Sequence, residues 1–204
     1  MLRFGTVLYP DTQMPTFQQL KPSPHQPVTQ NLSNHLQREL RSDHAGETGA
    51  VYIYKGIAAV AQWRDDAEML SFAKAHGATE ADHLSEVEQW LPASQRSLLL
   101  GPWRLAGWLT GALPAVFGRR AVYGTIAAVE TFVDQHYQQQ IDHLKELGGP
   151  KGLLELLIRC QADEQHHRDE SAALAGDQLS SLLRAWCWIV GQGSAAAVML
   201  ARRI

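Results

Sequence analysis

The sequence predicts an all-α protein with one main domain, and three observations carry that prediction. From Ser33 onward apolar residues recur with a helical period, and the alternating β-branched runs that strands require are almost absent. The interruptions are few and consist of Gly and Pro, with Leu91-Pro92 and Gly148-Gly149-Pro150 the clearest stops. Finally, 204 residues with 45% hydrophobic content are enough to fill the core of one ordinary domain, which excludes a disordered chain.

Residues 1–33 hold Pro10, Pro15, Pro22, Pro24 and Pro27 out of nine prolines in all, and proline removes backbone donors that helices and sheets need. An irregular arm is expected there. It has neither the continuous apolar core of a signal peptide nor the Arg-rich pattern of an organelle address, so the protein is expected inside the cell. The domain proper, 34–204, is expected to contain helices over 34–63, 66–90, 97–117, 119–147, 151–174 and 178–202. Two of these are unusually apolar: Leu98–Phe117, broken by Pro102 and Pro114 with Arg104 as its one charge, and Leu182–Leu200, with Arg184 as its one charge. Trp103, Trp108, Trp186 and Trp188 fall in them, and Trp favours the headgroup boundary of a bilayer. Both stretches are therefore expected to lie in a membrane face rather than to span it, because a Pro-broken span needs neighbours for its freed carbonyls.

Composition narrows the function. Charged residues make up 19% and the net charge is −3, so there is no basic surplus to neutralise a phosphate backbone, and nucleic acid is not an expected partner. The two cysteines, Cys160 and Cys187, sit in helical stretches and are too few for a disulfide framework, which fits a reducing compartment. Gly191-Gln192-Gly193-Ser194-Ala195-Ala196 matches a relaxed dinucleotide fingerprint. It follows a Trp-rich helix rather than a strand and has only eight residues after it, so it cannot open a nucleotide-binding unit; close helix packing is the expected role.

The chemistry lies in a repeat. Glu-x-x-His occurs at Glu80/His83 and at Glu164/His167, and at roughly 100° per residue positions i and i+3 share a helix face, so each copy aims a carboxylate and an imidazole at one point. Upstream, Glu47 lies 33 residues before Glu80 and Glu130 lies 34 before Glu164, each in a small or apolar setting and each followed seven residues later by a tyrosine, Tyr54 and Tyr137. Four buried carboxylates converging with two imidazoles repel one another unless divalent cations fill the centre. That set is the inward-pointing one of four-helix di-iron or di-manganese proteins, and the absence of thiolate argues against structural zinc. The expected architecture is a ferritin-like four-helix bundle with a dinuclear centre and two additional apolar helices facing a membrane.

Residues 41–50 (RSDHAGETGA), 128–137 (AVETFVDQHY) and 163–167 (DEQHH), with the apolar stretch that opens at Gly101-Pro102, resemble the demethoxyubiquinone hydroxylases, di-iron monooxygenases of ubiquinone biosynthesis. The resemblance covers about residues 38–204 and leaves the Pro-rich arm unexplained. It implies Glu47, Glu80, His83, Glu130, Glu164 and His167 as ligands of two Fe ions per chain, and His136 and Tyr137 as a pair near quinone and iron. It further implies O2-dependent hydroxylation of a polyprenylated benzoquinol, 2-polyprenyl-3-methyl-6-methoxy-1,4-benzoquinol, at the carbon that later carries the last methoxy group. Peripheral association with the cytoplasmic face of a bacterial membrane goes with such a substrate. An external reductase, other proteins of ubiquinone biosynthesis and further copies of the chain are compatible partners.

Other polar residues have more than one reading. His44, one turn before Glu47, fits a place above the metals or a surface one. His166 points away from ligand His167 by about 100°. His25, His35, His76 and His143 have no companions in sequence. Asp134, one turn after Glu130, fits an acceptor for an imidazole N–H or a solvated surface residue. The competing functions are a ferritin-like iron store or peroxidase, which needs neither apolar helix, a lipid-binding accessory protein that keeps the metal site for stability, and a hydroxylase for another ring position. With no dinucleotide fold and no cysteine pair, electrons must arrive from outside, and a route through the quinol by way of His136 and Tyr137 is the expectation.

Overall fold

The computed structural model describes residues 32–204, so all but the last two residues of the expected N-terminal arm lie outside it. Six α-helices follow in order: α1 (Asn34–Trp63), α2 (Ala67–Trp90), α3 (Leu100–Phe117), α4 (Arg119–Leu147), α5 (Lys151–Ala175) and α6 (Ser181–Ala201). No strand occurs among the described residues.

Three of the helices begin at a side-chain cap. Ser33 caps α1 by accepting from the Leu36 N–H at 3.3 Å, Asp66 caps α2 by accepting from Met69 N–H at 3.0 Å, and Ser180 caps α6 by accepting from Leu183 N–H at 3.2 Å. The α3–α4 and α4–α5 junctions turn on Gly118 (φ 105°) and Gly148 (φ 78°), positions in the left-handed region where a side chain would be strained. The one expected helix over 97–117 is shorter: a single 3₁₀ turn, Ala93–Gln95, precedes it, and α3 starts at Leu100. Pro102 then falls in the first turn, where its missing N–H has no intrahelical partner to lose, while Pro114 lies inside the helix.

Helices α1, α2, α4 and α5 form a four-helix bundle. Helix α3 packs on α1 and α4, and α6 packs on α4 and α1. Two apolar clusters fill the bundle at its ends. One gathers Ile57, Met69, Phe72, Tyr123 and Ile126; the other gathers Leu40, Val87, Ile141, Leu153 and Leu157. Between them lies a polar layer.

No described helix is long and apolar enough to cross a membrane. Helices α3 and α6 nevertheless present large apolar side chains outward, among them Leu105, Leu113 and Phe117 on α3 and Leu182, Trp188 and Met199 on α6. The four tryptophans do not act alike. Trp108 and Trp188 are exposed, but Trp103 and Trp186 are half-buried and line an internal cavity, and Trp186 Nε1 donates to Thr125 Oγ1 at 2.9 Å. With that partner on α4, the indole has no need of an interface to keep its N–H satisfied.

Candidate metal centre and its cavity

Glu47 comes from α1, Glu80 and His83 from α2, Glu130 from α4, and Glu164 and His167 from α5; all six side chains are buried in the polar layer. They form two overlapping groups. Ligand atoms of Glu47, Glu80, His83 and Glu164 lie within 4.8 Å of one another, and so do those of Glu80, Glu130, Glu164 and His167. Glu80 and Glu164 belong to both. The spacing logic explains the symmetry: α1 and α4 each give one carboxylate, α2 and α5 each give Glu-x-x-His, and the antiparallel pairing of α1 with α2 and α4 with α5 brings the four contributions to one level.

The electrostatics are those of carboxylates and imidazoles crowded together out of water. Burial, with the neighbouring carboxylates adding to it, holds Glu47 and Glu130 well above the usual carboxylate range, and burial together with Glu164 raises Glu80. Burial also acts to raise Glu164, yet the neighbouring His167 and His83 imidazoles outweigh it and hold this carboxyl low. On the imidazoles, burial is outweighed by the carboxylates: His83 is pushed up to about 11 and His167 to about 9. His83 Nδ1 stands 3.1 Å from Glu164 Oε1, and His167 Nδ1 stands 3.0 Å from Glu80 Oε1 without hydrogen-bond alignment. Glu47 Oε2, Glu80 Oε1, Glu164 Oε2 and His167 Nδ1 are all buried without a partner. Buried acceptors aimed at a common centre, all oxygen and imidazole, are a donor set that fits divalent iron or manganese.

The surrounding residues divide into those the sequence located and those it did not. Tyr137 donates its hydroxyl to Glu47 Oε1, so the α4 tyrosine braces the α1 carboxylate across the bundle. Its counterpart Tyr54 has a buried hydroxyl with no hydrogen-bond partner. His136 faces the cavity next to Asp43. Asp134 accepts from Gln161 and Gln165, each at 2.9 Å, and from Arg168, not from an imidazole. The imidazole partner is instead Asp163, whose Oδ2 lies 3.1 Å from His83 Nε2 and orients that ring toward the centre. His44 is buried but turns away to Glu88 Oε1 at 3.2 Å, so it does not sit above the metal site. His166 is exposed. His76 packs against His167 with ring centroids 4.2 Å apart and planes tilted by 52°, and it reaches Glu170 at 2.9 Å. Asp163 adjoins Glu164, and Asp43 lies one turn before Glu47, so both were within reach of the spacing argument; His76 was not.

A cavity of about 530 Å³ leads to this centre. Glu47, Glu80, Glu130 and Glu164 line it, and the rest of its wall is mainly apolar, with Trp103 and Gly107 from α3, Val129 and Phe132 from α4, and Ile189, Val190 and Ala197 from α6. The two apolar stretches are thus the walls of a chamber that opens onto the carboxylates.

A family model described as ubiquinone biosynthesis protein COQ7 matches residues 34–201, nearly all of the described chain. The chain belongs to the COQ7 family. Curated relatives agree. A mitochondrial NADPH-dependent 3-demethoxyubiquinone 3-hydroxylase of Dictyostelium discoideum is 29% identical over 174 residues, covering 83% of this chain and 77% of that protein. The 3-demethoxyubiquinol 3-hydroxylase of Legionella pneumophila strain Paris is 32% identical over 152 residues, 74% of this chain and 69% of the relative. The NADPH-dependent enzyme of Caenorhabditis elegans is 30% identical over 177 residues, 83% and 90% of the two chains. The match of this COQ7-family chain begins at the first residue of α1 and leaves out the Pro-rich N-terminus.

Proposed function

We propose that this chain is a 3-demethoxyubiquinol 3-hydroxylase, an O2-dependent monooxygenase of ubiquinone biosynthesis acting on 2-polyprenyl-3-methyl-6-methoxy-1,4-benzoquinol. One observation carries the reading: in a COQ7-family chain, two overlapping carboxylate and imidazole groups stand at the end of a largely apolar cavity. Two iron ions per chain would be held by Glu47 and His83 on one side, by Glu130 and His167 on the other, and by Glu80 and Glu164 in common. Bound there, iron supplies the reduction of dioxygen that side chains cannot perform.

The protein's own share is positioning and shielding. Four carboxylates would balance the charge of the cations, Asp163 fixes the His83 ring, and Tyr137 holds Glu47. The α3 and α6 walls exclude water from the ring and accept the first part of an isoprenoid tail, each buried methylene contributing about 0.8 kcal/mol. The outward apolar faces of the same two helices support peripheral attachment to the cytoplasmic side of the cell membrane, where such a tail is dissolved. His136 and Tyr137, both lining the cavity, support an electron and proton path from a quinol ring. The NADPH-dependent names of the Dictyostelium and Caenorhabditis relatives fit an external source of reducing power for those enzymes.

The test is a single-turnover reaction. Protein loaded anaerobically with Fe(II) receives a short-chain 3-demethoxyubiquinol and then ¹⁸O2, and mass spectrometry of the ring product reads the outcome. One ¹⁸O atom incorporated on the ring is expected. An unlabelled or unchanged ring would reject the hydroxylase reading even if iron were bound.

A further inference from the structure

Asp43 occupies an unusual position. It lies one turn before Glu47 on α1, lines the cavity, and its side chain is completely shielded from solvent. Its two oxygens are treated differently. Oδ1 accepts from Gln140 Nε2 at 2.7 Å and stands 2.9 Å from His136 Nε2, whereas Oδ2 is buried with no partner at all.

The direction of the His136 contact is set by a residue at the far end of the chain. Arg202, which follows the last residue of α6, is paired with Glu39 Oε2 at 2.7 Å and reaches His136 Nδ1 with its Nη2 at 3.3 Å. A guanidinium has only donors to offer. His136 Nδ1 therefore accepts, the ring proton sits on Nε2, and Nε2–H donates to Asp43 Oδ1. Asp43 is held with one oxygen filled by donors and the other left as a buried acceptor without a partner, in a residue that lines the cavity.

We propose that Asp43, oriented through His136 by Arg202, is the binding residue that selects the reduced, hydroxyl-bearing form of the ring. A quinol O–H satisfies the unpaired Oδ2. A quinone carbonyl brings only lone pairs to a carboxylate and leaves that buried acceptor unpaired. The inference rests on the cavity being the quinol site, and it assigns Arg202 as a positioning residue acting through His136.

Trp103 and Trp186 line the cavity, so intrinsic fluorescence reports occupancy. The probes are tetramethylhydroquinone, which has two hydroxyls and no open ring carbon, and its dimethyl ether, which has no donor. Both are titrated anaerobically into the Fe(II)-loaded full-length protein. The hydroquinone is expected to bind about tenfold more tightly than the ether, the worth of one hydrogen bond to a charged group. In Asp43→Asn the amide oxygen must face the His136 and Gln140 donors, which turns the NH2 toward the ring, so the preference disappears or inverts. Arg202→Met, at the end of α6 and open to solvent on one side, frees the imidazole to carry its proton on Nδ1 and should cut the preference to below about threefold. Arg202→Lys keeps a donor and should retain it. Equal binding of both probes by the unmodified protein, or an undiminished preference in Asp43→Asn, overturns the role of Asp43. An undiminished preference in Arg202→Met overturns that of Arg202. If neither probe binds, the cavity is not the quinol site and both readings fall together.

Discussion

Gly111→Ala isolates the contact that sets α3 against α1. A Cβ built at Gly111 would lie 1.9 Å from the Ile53 carbonyl oxygen, and one at Gly107 would lie 2.4 Å from the Gly49 carbonyl oxygen. Because the obstacle is helix backbone, no rotamer change relieves it: the separation has to grow from 1.9 Å to the 3.4 Å of ordinary contact, which displaces α3 as a unit. Overpacking of this kind costs about 1–3 kcal/mol, while replacing a mid-helix Gly by Ala returns about 0.5–1 kcal/mol. A backbone clash puts the first figure at its upper end, so the net loss is about 2 kcal/mol, or roughly 4–8 °C in Tm for a domain of this size. Thermal melting followed by circular dichroism measures it. Gly193→Ala is the internal control, because nothing lies within 4 Å of a Cβ there, and the propensity gain should raise Tm by roughly 1–4 °C. If Gly111→Ala melts at or above the unmodified protein, α3 is not seated backbone to backbone on α1, and the argument fails.

Glu164 is common to both ligand groups, so Glu164→Ala should lower iron from about two per chain to below one; full retention in metal analysis would sink the ligand assignment. Tyr137→Phe should keep both irons yet slow reduction of the oxidised centre by a short-chain quinol in anaerobic stopped-flow, and a wild-type rate there would assign the tyrosine to bracing Glu47 alone. Asp66 caps α2 and is held below the usual carboxylate range chiefly by the Arg119 guanidinium, so Asp66→Ala should cost about 1 kcal/mol at neutral pH. Since the folded value is the depressed one, that contribution is complete above the unfolded value near ~4 and disappears as pH falls through the folded value. Urea midpoints of the two proteins should therefore converge in acid, and a gap that stays constant would contradict the pairing. Trp108→Gln with Trp188→Gln should weaken co-sedimentation with anionic phospholipid vesicles while leaving helix content unchanged; undiminished sedimentation would remove the outward tryptophans from any membrane contact.

The bundle and its six inward polar residues were legible because Glu47, Glu80/His83, Glu130 and Glu164/His167 obey helical spacing within each element, and helical spacing depends only on the chain itself. Partner choice between elements does not. Asp134 had the spacing of an imidazole acceptor, yet the helix packed against it presents Gln161, Gln165 and Arg168, and the acceptor is Asp163 on the other side of the pair. The sidedness of α3 and α6 was hidden for another reason: with nearly every residue apolar, no polar face marks which stripe is buried. Hence Trp103 and Trp186 were not separable from Trp108 and Trp188 until α4 supplied Thr125 as a hydrogen-bond acceptor. The α3 boundary shifted because Ser97 and Leu98 read as the start of an apolar helix although a 3₁₀ turn and an extended Arg96 precede Leu100.

The backbone contact between α1 and α3 makes the two sides of the chamber mechanically unequal. With Gly107 and Gly111 abutting Gly49 and Ile53 at the peptide level, α3 has no slack and travels with the bundle as part of its frame. Helix α6 is secured more lightly, by three buried side chains, the bond of Trp186 to Thr125 and that of Cys187 to the Gly124 carbonyl, and by the Arg202–Glu39 pair at its far end. Of the two walls, α6 is therefore the one with room to give, much as a door gives while its jamb stays still.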